Sequence, residues 1–124
     1  MEQRGEPVIR AVPMFSDLNA NGDVFGGWVL SQMDVAGGVV ASRRAQGRVV
    51  TVAVAAMKFH RPIRLGDVVS IYATIERVGR TSISVRMDTI VRRRLELDEI
   101  QVTEGTYVYV AIDDKGQPRP VAPG

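Results

Sequence analysis

The chain has 124 residues, a length typical of one globular domain. Hydrophobic residues make up 45% of it, so the chain is not expected to be disordered, and a formal net charge of +2 is too small to indicate nucleic-acid binding. The absence of cysteine excludes disulfides, zinc–thiolate sites, iron–sulfur clusters and a cysteine nucleophile. The single histidine, His60, excludes a histidine-rich metal site within one chain.

No apolar run approaches the ~18 residues of a membrane span, and the first ten residues lack the apolar core of a signal peptide. We therefore expect a cytoplasmic protein without a membrane partner. Residues 1–7 are polar, and residues 113–124 contain three prolines and two glycines, so both ends are expected to be loose. Since no internal repeat is visible, residues 1–124 are interpreted as a single domain.

The first predicted elements are a short strand and a long helix. Val8–Val12 is a candidate strand that Pro13 ends, and a loop rich in Asn, Asp and Gly follows at residues 16–23. Trp28–Arg44 contains no proline and is followed by Gly47, which predicts a helix.

The composition of this helix predicts that it is buried. Between residues 29 and 41 only Ser31, Gln32 and Asp34 are polar, too few for a broad solvent-exposed face. Gly37 and Gly38 are costly inside a helix, and they indicate that another backbone passes close by. We therefore expect a central helix wrapped by the rest of the chain.

The remainder of the chain predicts strands. Apolar and polar residues alternate with period two, or valines predominate, in four segments: Arg48–Lys58, Val68–Val78, Thr81–Val91 and Ile100–Ile112. Short turns between successive strands favour antiparallel pairing. One helix followed by a run of strands predicts an α+β fold, with the helix packed on a curled antiparallel sheet.

Asp34 is the first candidate for chemistry. It lies about two turns into the predicted helix, where an ionised carboxylate is costly unless it is paired or hydrogen-bonded. Such an environment can tune a carboxylate for general-base catalysis. The alternative is a structural carboxylate at the helix edge, or one paired with an arginine.

Backbone and loop groups near the start of the helix are further candidates. Free N–H groups at Gly26 and Gly27 could polarise a carbonyl or hold an anion, although these glycines could equally give only a flexible entry to the helix. Asn19, Asn21 and Asp23 are ordinary turn residues, but a loop in this place could also line a site. Asn19 is therefore counted among the candidate catalytic residues.

Other common catalytic patterns are weak or missing. The run Arg92–Arg94 could bind phosphate groups or be a solvated charged surface. His60 would be needed for a serine–histidine–aspartate triad, but the sequence has no serine nucleophile elbow. It also has no Walker motif and no Gly-x-Gly-x-x-Gly loop.

The sequence closely resembles the YciA-type acyl-CoA thioesterases. The resemblance is carried by SDLNANGDVFGGWVLSQMD at residues 16–34, RVVTVAV at 48–54, MKF at 57–59, PI at 62–63, GDVV at 66–69 and VGRTSI at 78–83. It extends from about residue 11 to about residue 120. The chain departs from the family at Ala55 and Ala56, one of which stands where an acidic residue is usual, and at Lys58, which replaces an asparagine.

The resemblance implies a hotdog fold, in which a long central helix is wrapped by a curled antiparallel sheet of about five to six strands. It also implies hydrolysis of acyl-CoA without a cofactor or metal. Members of this family form homodimers whose active sites are built from both subunits, and these dimers often assemble into a trimer of dimers, a hexamer.

The resemblance also implies roles for particular residues. Asp34 would act as general base or as nucleophile, and the N–H groups of Gly26 and Gly27 would polarise the thioester carbonyl. Contacts to coenzyme A would come from a strand segment, a turn and two separate arginines, namely Ala53, Val54, Ala55, Arg80, Thr81, Ser82, Arg93 and Arg119.

Two alternatives remain open at this point. A hotdog domain could bind acyl-CoA without hydrolysing it, as a sensor or regulatory module, although such a module has no need of Asp34. A hotdog dehydratase or hydratase would pair a histidine with the carboxylate, but His60 does not occupy the matching place. Nucleic-acid binding is disfavoured because the seven aromatic residues are few and scattered.

Overall fold

The computed structural model describes residues 5–93, 95–96 and 98–123. Residues 1–4 of the predicted N-terminal tail, Arg94 of the arginine run and Gly124 lie outside the described residues. The elements in chain order are β1 (Ile9–Ala11), a 3-10 turn (Phe15–Asp17), α1 (Gly26–Ala45), β2 (Val49–Phe59), β3 (Val68–Val78), β4 (Ser82–Arg92) and β5 (Glu99–Ala111).

The strands form one antiparallel sheet in the order β1-β3-β4-β5-β2, and α1 packs against it. Because β2 follows the helix directly but pairs with the last strand, it lies at one edge of the sheet. Two register shifts interrupt its pairing with β5, and Ala56, beside the second shift, has a positive φ of 52°. The predicted α+β fold, one long helix on a five-stranded antiparallel sheet, is confirmed.

The helix is two residues longer at its start than the sequence predicts, because Gly26 and Gly27 form part of its first turn. Its deeply buried residues are Val29, Met33, Ala36, Gly37, Ala41 and Ala45, at the spacing of three and four that places side chains on one face. The expectation of burial on nearly every side is wrong, since Val35 is 56% exposed. The sheet covers one face of the helix and leaves apolar side chains on the other.

Gly37 is required because other atoms lie very close to it, but these atoms belong to side chains and not to a neighbouring backbone. A Cβ added at Gly37 would lie 2.3 Å from the Tyr109 hydroxyl oxygen and 2.8 Å from Met87 Cε. At Gly38 the nearest atom would be Tyr109 Cε2, at an ordinary 3.9 Å. The predicted close backbone is therefore wrong, and only the first of the two glycines is in a tight place.

The segment after β5 is held by hydrogen bonds, whereas the sequence predicts a loose end. Asp113 Oδ1 accepts the N–H groups of Lys115 and Gln117, each at 2.9 Å, which closes a turn. The Val121 N–H then donates to the Arg80 carbonyl at 2.8 Å. The prolines remove donors from this segment, but a side-chain cap and neighbouring backbone groups still fix it. No helix within the described residues is long and apolar enough to cross a membrane.

Candidate active site

Asp34 lies on α1, half-buried, and hydroxyl groups hold its carboxylate. Thr51 Oγ1, on β2, donates to Asp34 Oδ1 at 2.6 Å, and Tyr109 Oη, on β5, donates to the same oxygen at 3.1 Å. Tyr109 Oη also lies 2.9 Å from the Asp34 main-chain oxygen. Asp34 forms no salt bridge with any described residue, so the alternative of an arginine-paired carboxylate is not what the structure contains.

A second buried tyrosine accompanies the first. The rings of Tyr107 and Tyr109 stack with centroids 6.3 Å apart, and Tyr107 Oη donates to the Leu30 carbonyl at 2.7 Å. Burial, with a further contribution from the charge of Asp34, raises the pKa of Tyr107 to about 12. The same two causes raise the pKa of Tyr109. Both phenols therefore remain protonated donors at neutral pH.

Asp34 opens into a concavity of about 300 Å³ whose lining is mainly apolar. Its lining residues come from α1, β2 and β5 and are Leu30, Ser31, Asp34, Thr51, Val54 and Tyr107. An anchored carboxylate at the base of an apolar concavity can act as a base or as a nucleophile toward an apolar acyl compound. One of the residues predicted to contact substrate, Val54, lies in this concavity.

The other predicted catalytic groups lie elsewhere. Asn19 and Gly26 line a separate cavity of about 280 Å³ together with Phe59 and His60. Asn19 Oδ1 accepts two backbone N–H groups of its own loop, from Asn21 at 2.9 Å and Asp23 at 3.2 Å, so this side chain shapes the turn.

The start of the helix is far from Asp34 within one chain. The N–H groups of Gly26 and Gly27 donate to no acceptor within the described residues. Seven residues separate Gly27 from Asp34, which at about 1.5 Å per residue is about 10 Å. Within one chain, Gly26 and Asp34 therefore lie at separate points along the helix and line separate cavities.

The predicted coenzyme A contacts fall into two places. Ala53, Val54 and Ala55 lie on the exposed edge strand β2, opposite Val108, Tyr107 and Thr106 of β5. Arg80, Thr81 and Ser82 form the turn into β4, where the Thr81 carbonyl accepts the Ala111 N–H at 2.9 Å. The Arg80 side chain is exposed.

The family model of the thioesterase superfamily matches residues 21–92. This chain belongs to the thioesterase superfamily. The acyl-CoA thioester hydrolase YciA of Salmonella typhimurium is 46% identical over 95% of this chain and 91% of its own length. The hexameric thioesterase of Yersinia pestis is 44% identical and superposes with a TM-score of 0.93 over 99% of this chain and 100% of its own.

A hexameric broad specificity acyl-coenzyme A thioesterase is also similar, at 40% identity and a TM-score of 0.90, over 99% of this chain and 85% of that one. The predicted resemblance to YciA-type thioesterases and the predicted hotdog fold are thereby confirmed.

Within this thioesterase, the two arginines predicted to bind phosphate are engaged with their own chain. The Arg119 Nε, Nη1 and Nη2 atoms each donate to a carbonyl oxygen, and the Nη2 bond, at 2.9 Å, reaches Ala45 at the end of α1. Arg93 Nη2 donates to the Pro62 carbonyl at 3.1 Å, and its Nε lies 3.4 Å from the buried carboxylate of Asp67. Their visible roles are to cap a helix and to neutralise a buried acid.

His60 forms an ion-pair cluster and takes no part in a triad. Its Nε2 lies 2.7 Å from Glu104 Oε2, and the other oxygen of Glu104 bonds Arg86. The hydrogen bond from His60 holds the pKa of Glu104 below its usual value, and Arg86 lowers it further against the effect of burial.

Sequence reasoning missed three residues that contact Asp34 or the helix beside it: Thr51, Tyr107 and Tyr109. Each was assigned only to the interior of a strand. A signal was available for the tyrosines, because a hydroxyl on the helix-facing side of a strand needs a buried hydrogen-bond partner. Thr51 gave little signal, since threonine is common in strands.

Proposed function

We propose that this chain hydrolyses acyl-CoA, with water, to a carboxylic acid and coenzyme A, and that Asp34 is its catalytic carboxylate. The observation that carries the proposal is the Asp34 carboxylate, anchored by two hydroxyl donors at an apolar concavity. The names of the relatives, acyl-CoA thioester hydrolase and acyl-coenzyme A thioesterase, support the substrate class. A location in the cytoplasm remains part of this proposal.

Two routes are compatible with this carboxylate. As a general base, Asp34 takes a proton from water while the water oxygen attacks the thioester carbonyl carbon. As a nucleophile, Asp34 attacks that carbon itself, and water hydrolyses the resulting mixed anhydride. In both routes the thiolate of coenzyme A leaves and is protonated. Water is the only co-substrate, so no cofactor is proposed.

The developing oxyanion needs hydrogen-bond donors of its own, since the hydroxyls of Thr51 and Tyr109 are already engaged with Asp34 Oδ1. We infer that the Gly26–Gly27 backbone of a second copy supplies them, because the same groups of one chain are about 10 Å away along the helix. Exposed apolar side chains on β2 and on the helix support pairing of two copies. These are Val35 (56% exposed), Val52 (55%) and Val54 (49%).

Pairing two copies would place one active site on each side of the dimer interface. The hexameric similar structures support a trimer of such dimers. In this arrangement the Ala53–Ala55 strand would lie beside the pantetheine arm, and the exposed Arg80 turn would meet the phosphate groups. The Asn19 side chain would orient the loop that precedes the oxyanion donors.

The test is release of free thiol from a panel of acyl-CoAs by the native chain and by Asp34→Asn. Turnover should fall by at least about 100-fold in the variant, since general-base steps typically contribute 10²–10⁴-fold. Asp114→Asn, an exposed carboxylate far along the chain, is the matched control and should leave turnover unchanged.

Two results would contradict the proposal in different ways. Tight binding of coenzyme A without turnover of any acyl-CoA would indicate a binding module. Equal turnover by the native chain and Asp34→Asn would keep the thioesterase and remove Asp34 from its mechanism.

A further inference from the structure

The two oxygens of the Asp34 carboxylate have different surroundings. Oδ1 accepts the Thr51 hydroxyl at 2.6 Å and the Tyr109 hydroxyl at 3.1 Å. Oδ2 accepts no hydrogen bond from any described residue. One oxygen is therefore anchored, and the other is left to act on water or on the thioester.

The Tyr109 hydroxyl contacts Asp34 at both its main chain and its carboxylate. Its hydroxyl lies 2.9 Å from the Asp34 main-chain oxygen and 3.1 Å from Oδ1. The single phenolic proton is shared between these acceptors. A donor that contacts both the main chain and the carboxylate fixes the side-chain torsion angles between them, which Thr51 alone cannot do.

The absence of a side chain at Gly37 leaves room for the Tyr109 hydroxyl beside the helix. Tyr109 is 1% exposed, so its position is set by packing. A Cβ at Gly37 would lie 2.3 Å from its hydroxyl oxygen, closer than real contacts allow. Glycine at this position destabilises the helix by about 1 kcal/mol relative to alanine. The hydroxyl of Tyr109 fills the space that an alanine side chain would occupy.

We propose that Tyr109, seated in the space left by Gly37, is a positioning residue that anchors Asp34 Oδ1 and so presents Oδ2 as the reactive oxygen. Tyr109 does not touch the substrate in this scheme. The inference rests on the proposed role of Asp34. It adds a buried support on β5 to the exposed one that Thr51 supplies from β2, and it gives a functional reason for Gly37.

The test compares kcat, KM and the melting temperature of Tyr109→Phe with those of the native chain. We expect kcat to fall about 10-fold with little change in KM, since a hydrogen bond to a charged group is lost and the carboxylate is misplaced. A purely structural loss would lower the melting temperature and leave kcat of the folded protein native.

Two matched controls isolate the hydroxyl. Tyr107→Phe removes a neighbouring buried phenol that bonds the Leu30 carbonyl and no carboxylate; because Tyr107 also lines the concavity, this variant serves as a control for loss of stability alone. Gly37→Ala should displace the Tyr109 hydroxyl and reproduce the kinetic defect, whereas Gly38→Ala should leave kcat unchanged. Combined with Tyr109→Phe, Gly37→Ala should lower kcat by less than the product of the two separate effects.

The outcomes separate this inference from the proposed function. If Tyr109→Phe keeps native kcat while Asp34→Asn is inactive, the inference fails and the function stands. If Asp34→Asn remains active, the catalytic role of Asp34 fails instead. Should Tyr109→Phe not fold, Gly37→Ala beside Gly38→Ala decides the question, and equal kcat in both would overturn the inference.

Discussion

The carboxylate of Asp34 lies between two strands with opposite surroundings. On the β5 side, Tyr107 and Tyr109 are 2% and 1% exposed and both bond the helix. On the β2 side, Val50 and Val52 are 41% and 55% exposed, although they flank Thr51, whose hydroxyl bonds the same carboxylate. One side of the site is completed by the chain itself, and the other is open.

The β2 side is the part of the site that depends on assembly. A large exposed apolar surface next to a functional group is typical of an interaction surface. An unpaired edge strand also offers backbone groups to a neighbouring chain. The β5 side should therefore respond to changes in packing and hydrogen bonding, whereas the β2 side should respond to changes that keep two copies apart.

The largest effect is expected from a charge on the open side. Val52→Asp should reduce the size of the assembly and lower turnover at least about 100-fold, because burying an unpaired carboxylate in an interface is costly. Light scattering coupled to size-exclusion chromatography gives the assembly, and thiol release gives turnover.

Val12→Asp is the matched control, since Val12 is also exposed, at 50%, but lies outside β2. It should change neither measurement. A Val52→Asp protein that is smaller yet fully active would show that one chain completes the site, and the comparison between the two sides would fail.

The next largest effect should come from Thr51, the residue of β2 that bonds Asp34. Thr51→Val keeps the shape of the side chain and removes the 2.6 Å hydrogen bond, so kcat should fall about 10-fold with the assembly intact. Thr51→Ser restores the hydroxyl and should recover most of the loss. An unchanged kcat in Thr51→Val would mean that the β5 side alone positions the carboxylate.

Local sequence patterns predict the bounds of β3 and the end of the helix well. The alternation of β3 gave Val68–Val78 without error, and the helix ended within one residue of its predicted end. The reason is that strand alternation and helix stop signals are local properties of the sequence. The start of the helix was misplaced because Gly26 and Gly27 have low helix propensity, which the rest of the first turn overrides.

Long-range contacts were less predictable. The sequence singled out Gly37 but could not tell that a tyrosine 72 positions later, Tyr109, fills the space. From the sequence alone, Arg119 is a candidate for binding phosphate. In the structure its guanidinium instead donates to three carbonyl oxygens of its own chain. Only the fold brings these residues together, whereas Asp34 was identified by its chemistry within a nearly apolar helix.

A smaller effect should separate Arg80 from Arg119, two of the three arginines predicted to contact coenzyme A. Arg119→Ala removes three hydrogen bonds that extend the closed side to the end of α1, so the melting temperature should fall by several degrees while KM for acyl-CoA stays native. Arg80→Ala removes an exposed guanidinium and should raise KM several-fold without loss of stability. Thermal unfolding and steady-state kinetics measure both, and a raised KM in Arg119→Ala would return that arginine to the binding site.

The smallest effect is expected where the two sides meet, at the pair of His60, which follows β2, and Glu104 of β5. The hydrogen bond from His60 is the main cause that holds the pKa of Glu104 below its ordinary 4.5. The stabilisation is therefore present above that value and is lost as pH falls through the lower pKa of the folded state. Glu104→Gln should lower the melting temperature by about 1–3 °C near pH 7, and this difference should disappear as pH falls through the lowered pKa of the folded state. Glu76→Gln, an exposed site without an ion pair among the described residues, should show no such pH dependence. A constant difference across this pH range would mean that the glutamate charge does not hold β5 to the segment after β2.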